Sequence, residues 1–197
     1  MAKLRCNNDT MNLPNKLTLL RVALVPVMIF FLLTQSVPHN FLFALIVFSA
    51  ASLTDMLDGR IARKRGLVTD FGKLMDPLAD KILVASALIC LIKLDAAPCI
   101  VVIIVIFREF LVTSLRMIAV EKGKVIAADI WGKAKTVFQI FTIIWTLCCF
   151  ELCALGFMPE ALPWQTITTV FMWIMAALTV VSGANYVISN RKLIEKM

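Results

Sequence analysis

The chain has 197 residues, of which 60% are hydrophobic and 17% are charged, and its formal net charge at pH 7 is +7. Its mean hydropathy of +0.89 is far above what a soluble globular domain needs for its core, which excludes that class. The composition predicts an all-α integral membrane protein.

Six apolar segments follow one another along the chain, and each is long enough to cross ~30 Å of hydrocarbon as a helix. We expect these transmembrane helices at residues 17–36, 40–58, 74–94, 97–120, 130–153 and 163–188. Prolines between the first and second, third and fourth, and fifth and sixth segments favour breaks there. No room remains for a soluble domain, so residues 1–197 are predicted to form a single membrane domain.

The distribution of basic residues predicts the orientation of the helices, because Lys and Arg near the ends of spans are retained in the cytoplasm. Both termini and the second and fourth connections are rich in Lys and Arg, whereas the three short connections contain no Lys or Arg other than Lys93. Both termini are therefore predicted to be cytoplasmic, and the positive charge faces anionic membrane lipids.

Four aspartates stand where the second segment ends and the third begins. Asp55 and Asp58 are three residues apart and Asp76 and Asp80 are four apart, so each pair lies on one helix face. Taken singly, each could be a solvated charge paired with a nearby Arg or Lys. Together they form a carboxylate-only set without His or Cys, which suits Mg²⁺ or Mn²⁺, and two such ions would neutralise all four charges.

Small residues accompany these aspartates. Gly59 and Ala62 leave one helix face almost without side chains, so a flat or bulky group could approach the backbone closely. Arg63, one turn after Gly59, can form a bidentate contact with a phosphate. Gly72 gives the incoming chain similar room, and Asp70 is interpreted as a loop residue.

From Asp55 to Asp80 the chain reads DMLDGRIARKRGLVTDFGKLMDPLAD. This D-x-x-D-G-x-x-A-R-x8-G-x3-D-x3-D pattern resembles the signature of the CDP-alcohol phosphatidyltransferase family. The resemblance implies a six-helix membrane enzyme with its active site on the cytoplasmic side. It also implies transfer of a phosphatidyl group from CDP-diacylglycerol to an alcohol with release of CMP, a multi-pass location in the bacterial cytoplasmic (inner) membrane, a homodimer and no nucleic-acid partner.

Residue roles follow from the same resemblance. Asp55, Asp58 and Asp76 would bind two divalent ions, with Asp80 as a further ligand and the catalytic general base beside Asp76. The implied CDP-diacylglycerol site consists of Asp58, Gly59, Ala62, Arg63 and Gly72.

Basic residues in the fourth and fifth segments bear on the acceptor. Arg108 lies inside the fourth segment, where facing a wet cavity is cheaper than facing lipid, and Arg116 follows two turns later. An internal pair of Arg108 with a carboxylate such as Glu109 is the alternative. Lys133 and Lys135 are about 200° apart on a helix, so both face one pocket only if that helix starts after Lys133. A basic pocket would select an acceptor that carries its own phosphate.

The blocks NLPNKLTLLR, FREFLVTSLR and GKAKT resemble members of the family whose acceptor is sn-glycerol 3-phosphate. The implied products are phosphatidylglycerol phosphate and CMP. The implied acceptor-phosphate residues are Arg116 and Lys135, followed by Arg108 and Lys133. Asn15, Thr18 and Arg21 recur at a spacing of three in the first block and are candidates for contact with the donor head group.

Two other functions compete with this interpretation. Another member of the family could use inositol phosphate, serine or phosphatidylglycerol as acceptor. An ion or proton transporter would also carry carboxylates within the membrane, but it predicts polar residues that continue toward the outer face. The outer halves of the segments are nearly uncharged, and Lys93, Asp95, Glu151 and Glu160 are assigned to connections. The six cysteines form no C-x-x-C pair and are interpreted as small apolar residues.

Overall fold

A computed structural model provides the structure and describes residues 13–65, 70–121, 130–158 and 163–191; within these ranges, side chains are described except at 13–16, 55–65, 70–77, 80, 120 and 121. All regular secondary structure of the described residues is helical, without a strand, which confirms the all-α prediction. The helices are α1 (Leu13–Leu33), α2 (Asn40–Arg65), α3 (Asp70–Lys93), α4 (Cys99–Glu121), α5 (Ile130–Ala154) and α6 (Trp164–Ser189).

Each predicted segment corresponds to one helix, and the largest difference in a helix boundary is at the end of α2. α2 continues to Arg65 and α3 starts at Asp70, so both helices are longer than the apolar stretches that predicted them. Charged residues end an apolar run without ending a helix, because Arg, Lys and Asp are compatible with helical backbone. The interpretation of Asp70 as a loop residue is wrong, since it is the first residue of α3.

Two helices end in left-handed turns. Gly156 has φ +72° and Asp95 has φ +55°, and in each turn two amide groups donate back to the last carbonyls of the helix. For Gly156 the bonds are its own N–H to the Cys153 carbonyl and Phe157 N–H to the Leu152 carbonyl, both 3.0 Å. This is a Schellman motif, in which glycine adopts positive φ without a steric penalty.

The helices pack around one apolar core. α1 lies against α2 and α3, α5 against α2 and α6, and α4 against α3 and α6. Fully buried core residues include Met28, Phe48, Leu91, Leu147 and Met172. The outside of the bundle is also apolar, as the exposed residues Ile103, Phe107 and Ile188 illustrate. A helix bundle that is apolar on both sides suits a lipid environment.

Among the described residues, α5 and α6 are each long and apolar enough to cross a membrane. Shorter apolar stretches occur at Leu17–Leu33 and Asn40–Thr54. The structure therefore contains membrane-compatible helices within an all-helical fold.

A polar clamp joins α5 to the turn between α1 and α2. Glu151 on α5 is 6% exposed; its Oε1 lies 2.7 Å from His39 Nδ1, and its Oε2 accepts a bond of 3.0 Å from the Leu42 amide at the start of α2. The assignment of Glu151 to a connection is therefore wrong, because this carboxylate lies inside α5. A buried carboxylate is tolerated there since both of its oxygens have polar partners. The described cysteines are all free thiols.

Candidate functional site

All six helices line one cavity of about 820 Å³. Its wall combines apolar side chains with basic and hydroxyl groups. The polar lining includes Arg21 from α1, Ser52 from α2, Lys81 from α3, Arg116 from α4, Lys133 from α5 and Ser182 from α6. A cavity of this size and composition can hold a polar ligand with an apolar part.

The cavity lies at the aspartate-bearing parts of α2 and α3. Ser52 and Lys81 line it; Asp55 follows Ser52 by one turn of α2, and Asp80 directly precedes Lys81 in α3. α2 and α3 also pack against each other. The backbone thus places one aspartate of each pair, Asp55 and Asp80, next to a residue that lines the same cavity.

The side chains of the motif itself lie outside the described residues. They are Asp55, Asp58, Gly59, Ala62, Arg63, Gly72, Asp76 and Asp80. Among the side chains that the structure does describe, no three His, Cys, Asp or Glu residues lie close enough to form a metal site. Carboxylates on two adjacent helices beside a polar cavity fit a hard divalent cation in donor chemistry, because such ions prefer oxygen ligands.

One acidic residue in the cavity wall binds cations from three helices. The carboxylate of Glu109 on α4 lies 2.5 Å from Lys81 Nζ on α3, and its other oxygen pairs with Lys135 Nζ on α5. Arg108 Nη1 is 3.7 Å from the same carboxylate. Sequence reasoning assigned Glu109 only as an alternative partner for Arg108, because the sequence does not show which helices meet.

The two lysines of α5 have different environments. The helix begins at Ile130, before Lys133, so the two side chains lie on opposite sides of it. Lys133 is exposed and lines the cavity, whereas Lys135 is 1% exposed and is bound to Glu109. A helix that starts after Lys133 was the condition for both lysines to face one pocket, and α5 does not meet it.

Arg108 connects α4 to α6. Its Nη2 donates a bond of 2.6 Å to Ser182 Oγ, and both residues line the cavity. Gly183 makes this approach possible, since a Cβ there would lie 3.0 Å from Arg108 Cγ. Sequence reasoning missed α6 as a part of the site; the only signal was the run of small and polar residues SGANY, from Ser182 to Tyr186, in an otherwise apolar helix.

The donor candidates on α1 differ in position. Thr18 and Arg21 are both 2% exposed, and Arg21 lines the cavity. The side chain of Asn15 lies outside the described residues.

Comparison with known proteins decides the family of this chain. Residues 11–181 match the model of the CDP-alcohol phosphatidyltransferases. The chain belongs to the CDP-alcohol phosphatidyltransferase family. It is therefore a transferase, and the resemblance of its D-x-x-D-G-x-x-A-R motif is confirmed. Members of this family generally depend on divalent metal ions.

Relatives within the phosphatidyltransferase family match most of the chain. A protein of Bacillus subtilis (strain 168) named CDP-diacylglycerol–glycerol-3-phosphate 3-phosphatidyltransferase is 42% identical over 193 residues, which cover 91% of this chain and 95% of the relative. A protein of the same name from Rickettsia bellii (strain RML369-C) is 38% identical, covering 89% of this chain and 93% of the relative. A third from Rickettsia prowazekii (strain Madrid E) is 38% identical with the same two coverages.

Proposed function

We propose that this phosphatidyltransferase transfers the phosphatidyl group of CDP-diacylglycerol to sn-glycerol 3-phosphate, giving phosphatidylglycerol phosphate and CMP. The observation that carries the proposal is the cavity lined by the cations Arg116, Lys133 and Arg108 together with residues of the aspartate-bearing helices α2 and α3. A neutral acceptor would gain little from several cations, whereas an acceptor phosphate would gain charge-assisted hydrogen bonds. The names of the relatives support this choice of acceptor.

The reaction needs a proton acceptor and a way to stabilise the departing CMP. In our proposal Asp55, Asp58, Asp76 and Asp80 hold two divalent ions, Mg²⁺ or Mn²⁺, which would withdraw charge from the diphosphate of the donor. Asp80 accepts the proton of the attacking hydroxyl, with Asp76 beside it. Lys81, directly after Asp80, is bound to Glu109, an arrangement that supports a fixed position for this part of α3.

The donor site is proposed near the end of α2 and the start of α3. The proposed contacts to the cytidine diphosphate come from Asp58, Gly59, Ala62, Arg63 and Gly72, and further contacts come from Asn15, Thr18 and Arg21. The burial of Arg21 in the cavity wall supports its part in this set, because a buried guanidinium beside a cavity can bind a phosphate through two parallel hydrogen bonds.

The acceptor phosphate is proposed to contact Arg116 and Lys133 first, with Arg108 deeper in the cavity. Exposure of Arg116 and Lys133 to the cavity supports this order. Lys135 belongs to the same proposed site through the carboxylate of Glu109, which it binds from the buried side.

The membrane arrangement is part of the proposal. Residues 1–197 would form one domain with six transmembrane helices and both termini in the cytoplasm. The protein would then lie in the bacterial inner membrane as a homodimer, with the active site on the cytoplasmic side. The concentration of Lys and Arg at the termini and in the second and fourth connections supports this orientation.

An acceptor panel tests the reaction. The protein purified in detergent is incubated with CDP-diacylglycerol and Mg²⁺ or Mn²⁺, and CMP release is measured with sn-glycerol 3-phosphate, inositol phosphate, serine or phosphatidylglycerol. We expect release with sn-glycerol 3-phosphate. Release with one of the other alcohols alone would refute this acceptor while leaving the family intact.

A further inference from the structure

The wall of the cavity formed by α6 contains a buried hydroxyl group that the reaction above does not use. Tyr186, the only tyrosine of the chain, is 3% exposed and lines the cavity. Within the described part of the chain, its hydroxyl group has no hydrogen-bond partner. A buried hydroxyl group without a partner is unfavourable, and in a native protein it calls for an explanation such as a bound water or another bound group.

The neighbouring arginine offers a second unused donor. Arg108 Nε is buried and has no hydrogen-bond partner among the described residues, although Nη2 of the same side chain is bound to Ser182. Ser182 and Tyr186 are four residues apart on α6 and therefore lie on one face of it. Both residues and Arg108 line the same cavity.

The surroundings fix this arginine in place. A Cβ at Gly183 would lie 3.0 Å from Arg108 Cγ, and one at Gly132 would lie 3.9 Å from both Arg108 Nη2 and Ser182 Oγ. The side chain thus passes between two glycines, one on α5 and one on α6, before it reaches Ser182. A donor held in this way is preorganised, so a ligand that binds it does not have to order it first.

One polar group of the proposed acceptor has no protein contact assigned to it so far. sn-Glycerol 3-phosphate carries a phosphate, a C1 hydroxyl that reacts and a C2 hydroxyl that does not. The phosphate is assigned to Arg116 and Lys133 with Arg108 behind them, and the C1 hydroxyl to Asp80. The C2 hydroxyl can accept one hydrogen bond and donate another. The phenol hydroxyl of a tyrosine can be its donor or its acceptor.

We propose that Tyr186 is a specificity-determining residue that hydrogen-bonds the non-reacting C2 hydroxyl of the acceptor, with Arg108 Nε as the adjacent donor. This inference rests on the proposed acceptor. A site built to bind a substrate hydroxyl discriminates against an analogue that lacks it.

A comparison of two acceptors tests this role. 3-Hydroxypropyl phosphate keeps the phosphate and the reacting hydroxyl of sn-glycerol 3-phosphate and lacks only the C2 hydroxyl. With sn-glycerol 3-phosphate, Tyr186→Phe is expected to lower kcat/KM by about tenfold, the effect of one lost hydrogen bond. With 3-hydroxypropyl phosphate the variant and the wild type are expected to have equal kcat/KM, because the contact is already missing.

The matched control is Thr179→Val on the same helix. Thr179 is fully buried and its hydroxyl donates to the Met175 carbonyl at 2.7 Å, away from the cavity lining. This variant also removes one buried hydroxyl group, and it is expected to leave kcat/KM for both acceptors unchanged. The KM for CDP-diacylglycerol is expected to stay the same in both variants.

Two results would overturn the proposal. One is wild-type kcat/KM for Tyr186→Phe with sn-glycerol 3-phosphate; the other is an equal loss with both acceptors, which would show a contact to the phosphate or an effect on the fold. The wild-type protein distinguishes this failure from that of the proposed function. If the wild type released no CMP with sn-glycerol 3-phosphate, the acceptor assignment and the role of Tyr186 would both be refuted.

Discussion

The substitution Glu109→Gln tests how the cations of the cavity are held. In the structure the Glu109 carboxylate is 12% exposed and binds Lys135, which is 1% exposed, and Lys81, which is 22% exposed. The amide of Gln keeps the shape of the side chain and removes its charge. Lys135 then loses the carboxylate to which it is bound while it stays in a buried position.

The expected loss of stability follows from this burial. Removing one partner of a buried ion pair typically costs 3–5 kcal/mol. We expect about 3 kcal/mol, at the lower end of that range, because part of the Glu109 carboxylate and of Lys81 still reaches the cavity. The free energy of unfolding is measured in mixed micelles by titration with a denaturing detergent.

A second substitution separates this electrostatic effect from a packing effect. Lys135→Met replaces the buried ammonium by an apolar group of similar length, and a buried ion pair can often be exchanged for apolar residues at little cost. The double variant Glu109→Gln/Lys135→Met should therefore be within about 1 kcal/mol of the wild type. Lys133→Met is the control on the exposed side of α5, and it should not rescue Glu109→Gln.

The result that contradicts this reasoning is additivity. If the losses caused by Glu109→Gln and Lys135→Met simply add in the double variant, the two residues are not energetically coupled. Rescue by Lys133→Met as well would show a general effect of lower positive charge, rather than the pair seen in the structure.

The remaining predictions concern the metal, the base, the acceptor and the clamp at Glu151. Removal of divalent ions by a chelator should abolish CMP release, and Mg²⁺ or Mn²⁺ should restore it; activity that survives chelation would contradict the metal site. Asp80→Asn should still bind CDP-diacylglycerol and lose at least about 100-fold in kcat, as expected for a general base, whereas near-normal turnover would remove Asp80 from that role. Arg116→Ala should raise the KM for the acceptor about tenfold or more and leave the KM for the donor unchanged. Lys93→Ala, at the last residue of α3, should change neither KM, so an effect of similar size in both variants would refute a specific acceptor contact. Glu151→Ala should lower the free energy of unfolding by about 1–3 kcal/mol, because the Leu42 amide and His39 lose their acceptor; unaltered thermal unfolding would show that the clamp contributes nothing.

The number of helices and most of their bounds could be predicted from the sequence, because apolar segments separated by proline-containing turns define them. The end of α2 and the start of α3 could not, since Arg65 and Asp70 lie in helical turns that continue past the apolar stretch. Hydropathy indicates whether a side chain prefers lipid or water. It does not indicate at which residue the backbone hydrogen bonds of a helix end.

The metal-site aspartates could be proposed from local spacing alone, whereas the wall of the cavity could not. Glu109 meets lysines from α3 and α5, and Arg108 meets Ser182 on α6. These contacts depend on which helices are neighbours and how each is rotated about its axis, and no short motif contains that information. Tyr186 was also missed. A single tyrosine in an apolar helix is usually explained by packing, and the sequence does not show that this one lines the cavity.

The central claim is that the protein transfers the phosphatidyl group to sn-glycerol 3-phosphate within this cavity. Its most direct test is the incorporation of radiolabelled sn-glycerol 3-phosphate into lipid by the purified protein with CDP-diacylglycerol and Mg²⁺. The account predicts a labelled lipid that still carries the acceptor phosphate, formed in equal amount to the CMP released and absent with Asp80→Asn. CMP release without label in the lipid fraction, or labelled lipid formed equally well by Asp80→Asn, would contradict it.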